Sequence, residues 1–147
     1  MTTIPVAARR IESPFPDRLE IVGWDDPVVN AVGFPPHHPY VEMLWLPILG
    51  PSTTWLYRRL HIDAERTRAL DLPELAAALG LSTATGANAP IQRTLQRLVL
   101  FGLAARHGNQ LAVRTTAPPL TQRHLDRLTP RLRAAHHALT AGRTTTP

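Results

Sequence analysis

The sequence predicts a mainly helical α+β fold with one small β-hairpin, and three stretches carry that expectation. "DLPELAAALGLS" (71–82) reads as a compact helix with a marked start and stop. "PIQRTLQRLVLFGLA" (90–104) repeats apolar residues at helical spacing. "LAARHGNQLAVR" (103–114) alternates on either side of a polar turn, which is the period of paired strands. At 147 residues, 44% of them hydrophobic, the chain is long enough for one domain with a sizeable core.

Residues 1–39 are rich in proline and lack helical periodicity, so they read as an extended arm, laid over the domain or ordered by a protein partner. Within the arm, "RLEIVGW" (18–24) is the one strand-like run. "YVEMLWLPILG" (40–50) predicts a short helix ended near Pro47. In "GPSTTWLYRRLHI" (50–62), Pro51 suits a first helical turn, with Trp55, Leu56, Leu60 and Ile62 as the buried stripe and Arg58 and Arg59 toward solvent.

Asp71 is the expected N-cap of the next helix, with Pro73 in its first turn and Glu74 at capping-box spacing. Leu72, Leu75, Ala76 and Leu79 share its inner face, and Gly80 supplies the left-handed stop. After a flexible connector, Asn88 is placed to cap a helix entered at Pro90. Ile91, Leu95, Leu98 and Gly102 fall on one side of that helix, and Gln92, Arg93, Gln96 and Arg97 on the other.

A three-residue hairpin loop, Gly108 to Gln110, puts the apolar residues of both strands on one face by pairing Ala105 with Val113 and Leu103 with Thr115. A two-residue loop at Gly108-Asn109 would pair Ala105 with Ala112 instead. The first register is therefore expected, with Arg106 and Arg114 together on the outer face. In residues 120–141, Leu125, Leu128, Leu132, Ala135 and Leu139 recur at spacings of three and four, interrupted by Pro130. That predicts two short helices, or one kinked helix, with Leu125, Leu128, Leu132 and Leu139 on a homodimer seam. Residues 142–147 are expected to fray.

Charge is distributed unevenly. All 16 basic side chains are arginine, a bias that gene base composition alone can produce. Residues 1–74 hold seven arginines against ten carboxylates, whereas residues 75–147 hold nine against Asp126 alone. A one-signed second half implies a polyanionic partner, with nucleic acid first and a membrane surface or acidic protein behind it.

Helix, helix ending "LGLS", basic helix ending "FGLA", then a hairpin around "HGNQ": this order resembles the winged helix-turn-helix DNA-binding domain of bacterial transcription regulators. The resemblance covers roughly residues 51–116, within a domain set at 40–119. It implies that the second of the paired helices enters the major groove of double-stranded DNA and that the hairpin, or wing, touches the backbone or minor groove. Mapped here, it makes Asn88, Gln92, Arg93, Gln96 and Arg97 contacts of the helix and its entry, and Arg106, Asn109 and Arg114 contacts of the wing. One departure is the connector, residues 81–88, which is longer than the usual tight turn. A looser likeness joins "WLPILGPSTTWLYRRL" to winged-helix primosome proteins that help load a replicative helicase, and it implies the alternative of a protein-interaction module.

No catalytic signature accompanies these features: there is no Walker loop, G-x-G-x-x-G, H-E-x-x-H or G-x-S-x-G. Zero cysteines leave no thiolate metal site, and adjacent histidines such as His136 and His137 point about 100° apart on a helix. No run approaches the roughly 20 apolar residues of a membrane span. The expectation is a non-enzymatic, cofactor-free, cytoplasmic DNA-binding regulator, dimeric through its C-terminal helices.

Overall fold

A computed structural model describes residues 13–64 and 68–142 of the chain. The start of the arm (1–12) and nearly all of the expected frayed tail (143–147) lie outside the described residues. The architecture is mixed α/β, with helices packed on a four-stranded sheet. In chain order the elements are β1 (Arg18–Trp24), α1 (Pro27–Val32), α2 (Leu46–Leu49) entered through a π-helical turn (Val41–Trp45), and α3 (Pro51–Ala64). Then come β2 (Ala69–Asp71), α4 (Leu72–Ala78), α5 (Pro90–Leu100), β3 (Ala104–His107), β4 (Gln110–Arg114), α6 (Gln122–Leu125) and α7 (Pro130–Thr140).

The expected arm is not an appendage. β1 lies inside the sheet, antiparallel to β2 and parallel to β4, giving the order β2-β1-β4-β3. Its period-two pattern explains the position: Leu19 and Ile21 are fully buried, while Glu20 faces out. Further along, Phe34 and Ala117 exchange backbone hydrogen bonds of 2.8 and 2.7 Å, and Phe34 stacks on Tyr40 at 4.0 Å. Residues 13–39 therefore belong to the domain.

Pro47 does not end the lead-in helix. The Leu46 N–H bonds back to the Val41 carbonyl, five residues away, and this widened turn accommodates a ring that would otherwise press on the preceding turn. The helix stops instead at Gly50, with φ of +84°. Along α3 the buried stripe is Thr53, Leu56, Tyr57, Leu60 and Ala64, at spacings of three and four. Trp55 and Ile62, expected inside, are 59% and 58% exposed. Thr53 and Thr54, polar yet both buried, disguised where the inner face begins.

α4 and α5 end alike. At Gly80 (φ +72°) Leu81 N–H bonds Ala76 O and Gly80 N–H bonds Ala77 O; at Gly102 (φ +77°) Leu103 N–H bonds Leu98 O and Gly102 N–H bonds Val99 O. Both are Schellman stops, and each requires the left-handed glycine. The Asp71 carboxylate accepts from Glu74 N at 3.1 Å and caps α4. Asn88 caps nothing: Ala89 is the first flanking residue of α5, with no side-chain cap.

The hairpin takes the register judged less favourable. Ala104 pairs with Val113, Ala105 with Ala112, Arg106 with Leu111 and His107 with Gln110, leaving a two-residue turn at Gly108 and Asn109. Leu103 is committed to the Gly102 stop, so strand alternation starts at buried Ala104 rather than at Leu103. Leu111 and Val113 remain fully buried, but Arg106 and Arg114 now sit on opposite faces.

The C-terminal helices fold back on their own chain. Leu125 and Leu128 are buried in the core, and Leu132 and Leu139 pack against it half-buried. Two of the four seam leucines are thus taken up by their own domain, while Leu132 and Leu139 keep part of their surface open.

Candidate nucleic-acid interface

α5 is held by its inner face, where Ile91, Leu95 and Leu98 enter the common core against α3 and α4. That anchoring leaves positions 93, 96, 97 and 100 outward. Arg93 and Gln96 are exposed and make no side-chain hydrogen bond or ion pair among the described residues. Asn88, just ahead of the helix, is exposed in the same way.

Four of the eight expected contacts are engaged within the molecule. Gln92 is only 5% exposed and brackets the backbone of Phe15: its Oε1 accepts from Phe15 N at 2.7 Å and its Nε2 donates to Phe15 O at 2.8 Å. Arg97 remains exposed overall, yet its guanidinium donates to the carbonyls of Leu49 and Ile48 at 2.6 and 2.9 Å and lies 5.0 Å over Phe101. It serves as the cationic cap of α2, where unpaired carbonyls concentrate negative charge.

The two wing arginines are structural. Arg106 donates to the carbonyls of Ser13, Pro14 and Gly108 and covers the Phe15 ring at 4.5 Å. Arg114 donates to Gly102 O at 2.7 Å and Asp26 at 3.0 Å, and stacks 3.7 Å over Trp24. That hydrogen bond is the main cause holding the Asp26 carboxyl below its usual range, against a smaller opposing effect of burial. The basic outer wing therefore dissolves. Of the wing residues named, Asn109 is left exposed at the tip, beside exposed His107 and Gly108.

The fold adds two cations that the sequence reading passed over. α6 and the turn after it set Arg123 and Arg127 beside the end of α5, where together with Leu100, Phe101 and His124 they line a hollow of about 420 Å³. Both are exposed, and the one carboxylate between them, Asp126, is held by the Gln122 amide at 2.8 Å. The acid-free run between Glu74 and Asp126 pointed toward this surface, but only the fold-back of α6 joins it to α5. His124 is tucked between Trp45 and Phe101 at 5.7 and 5.8 Å. Burial first, then Arg127 and Arg123, lower its pKa.

Arg93 and Gln96 thus stand on the outward side of α5, and Arg123 and Arg127 border its C-terminal end at Leu100, a set of groups able to pair with phosphates and base edges. Among the described residues no group of three or more His, Asp or Glu could hold a metal ion, and no helix is long and apolar enough to cross a membrane. No family model, no curated protein and no solved structure matches the chain.

Proposed function

We propose that the chain is a winged helix-turn-helix protein that binds double-stranded DNA, with α4 and α5 as the paired helices and β3–β4 as the wing. α5 enters the major groove: Arg93 and Gln96 meet base edges or phosphates, Asn88 lies at the helix entry, and Asn109 reaches from the wing tip. Arg123 and Arg127 take the backbone contacts usually expected of a basic wing. A transcriptional regulator is the setting that best fits such a module. The observation that carries the reading is that Arg93 and Gln96 stand exposed on an anchored helix without a side-chain partner among the described residues, on the same outward side as Leu100, which borders the hollow of Arg123 and Arg127.

Selection of bound fragments from random duplex DNA tests it. A selected site should be bound with an affinity that falls steeply with salt. Replacing Arg93 and Gln96 with Ala should weaken that binding by at least tenfold while leaving the melting temperature unchanged. A chain that enriches no duplex and shows no salt-dependent binding at modest ionic strength would refute the reading in favour of a protein-docking module.

A further inference from the structure

A second surface lies away from α5, and it is apolar where the α5 face is polar. Trp55 and Ile62, seven residues apart on α3, stand 59% and 58% exposed. With Arg58, Arg59, Ala78 and Leu79 they line a groove of about 480 Å³ between α3 and α4. A second hollow of about 490 Å³ toward β2 shares Arg59, Ile62 and Ala78, so the trough is continuous. Two large apolar side chains left this open on a helix otherwise well packed mark a contact surface rather than scatter.

The charges around the trough select its occupant. Arg58 leans over the Trp55 ring at 5.6 Å, fixed by Pro36 O at 3.0 Å and by Glu42 at 3.6 Å. Arg59, between Trp55 and Ile62 in sequence, is exposed with no described partner. Glu42 stands on one side, and at the far end Asp71 and Glu74 share the second hollow with Arg18 and Arg68. A nucleic-acid backbone has no use for an apolar floor of Trp55, Ile62, Ala78 and Leu79, whereas the arginines around that floor favour an acidic protein surface. A second copy docked face to face would set one Arg59 against the other.

We propose that this trough docks an amphipathic helix of a partner protein, with apolar residues on Trp55, Ile62 and Leu79 and a carboxylate on Arg59. The spacing suits it, because Trp55 to Ile62 spans two helical turns, about 10 Å, which matches anchors at i, i+3 or i+4, and i+7 on the incoming helix. This site is independent of the DNA reading, and together they make the chain an adaptor between duplex and partner.

The test is selection against the full-length chain from a displayed library of helix-patterned peptides, with Leu at i, i+3, i+4 and i+7 and the remaining positions varied. Asp or Glu should be enriched beside the leucines. Binding of the enriched peptide should fall at least tenfold in Trp55→Ala and in Arg59→Glu, and a Lys-for-Glu peptide should recover binding to Arg59→Glu. Both variants should melt with the parent, since both side chains are exposed. The proposal is overturned if no acidic peptide is enriched or if enriched peptides ignore Trp55→Ala. It is equally overturned if sedimentation shows a self-association that Trp55→Ala abolishes, or if Trp55→Ala weakens duplex binding instead.

Discussion

At the scale of single residues, Arg114 illustrates how a guanidinium becomes structural. Its planar face lies on Trp24, its Nε and Nη1 reach a carbonyl and a carboxylate, and its own carbonyl accepts the Tyr57 hydroxyl at 2.9 Å. Glutamine cannot reproduce the stack and both bonds at once. Arg114→Gln should therefore cost about 1.5–3 kcal/mol in urea unfolding and leave the salt slope of DNA binding unchanged, whereas Arg123→Gln should do the reverse. Gln92→Ala strands the buried Phe15 N–H and C=O and should cost about 1–3 kcal/mol. Tyr40 and His136 give a pH response. The Tyr40 hydroxyl accepts from Leu120 N at 2.8 Å and meets His136 Nδ1 at 2.7 Å, an arrangement satisfied when a neutral imidazole accepts the phenolic proton. Burial, then His137, lowers the His136 pKa, and His124 is lowered in the same direction. A histidine with a depressed folded pKa is protonated more readily when unfolded. Stability should therefore fall as pH drops from the unfolded value of about 6.5 toward the folded values. His136→Gln, which retains an acceptor, should flatten part of that fall in a series of melting temperatures.

At the scale of elements, the two Schellman stops and the Asp71 cap are local devices, and they form where the residues promised them. Gly33 is set by distance rather than by dihedral angle. A Cβ there would come within 2.5 Å of Ala117 O and 2.8 Å of Val29 O, because the Phe34–Ala117 bridge draws the two backbones together. Gly33→Ala should cost about 1–3 kcal/mol or more as the bridge is forced apart, read as a shift in urea midpoint at constant m-value. The hairpin shows a local device overruled. Its register follows from where α5 releases the chain, since Leu103 is held by the helix stop and the first free strand position is Ala104.

At the scale of the whole molecule, the first and last described elements, β1 and α7, close the domain. β1 is an interior strand, α7 packs on the π turn, and ahead of α6 the Pro118 carbonyl accepts from Trp45 Nε1 at 2.9 Å. Leu128→Ala should cost about 2–5 kcal/mol as a core truncation. A chain ending at Pro119 should lose cooperative unfolding rather than yield a folded monomer; light scattering with thermal melts distinguishes these outcomes. The same closure builds the candidate interface, because α6 and the turn after it carry Arg123 and Arg127 to the end of α5.

The helices at 72–78 and 90–100, the Asp71 cap, the Gly80 and Gly102 stops, the inner face of α5 and the split of charge between the two halves were determined by the sequence alone. Each depends on neighbours within a turn or on a simple count, so the physics is local. Tertiary structure decided which arginines are free. Gln92, Arg97, Arg106 and Arg114 looked outward on a helical wheel or an isolated hairpin, but carbonyls from Ser13, Pro14, Phe15, Ile48, Leu49 and Gly102 claim them. A guanidinium or amide goes wherever unpaired carbonyls are brought near it. Which carbonyls those are depends on how the segment leading into β1, α2 and the stop of α5 pack, across separations in sequence that no local period encodes.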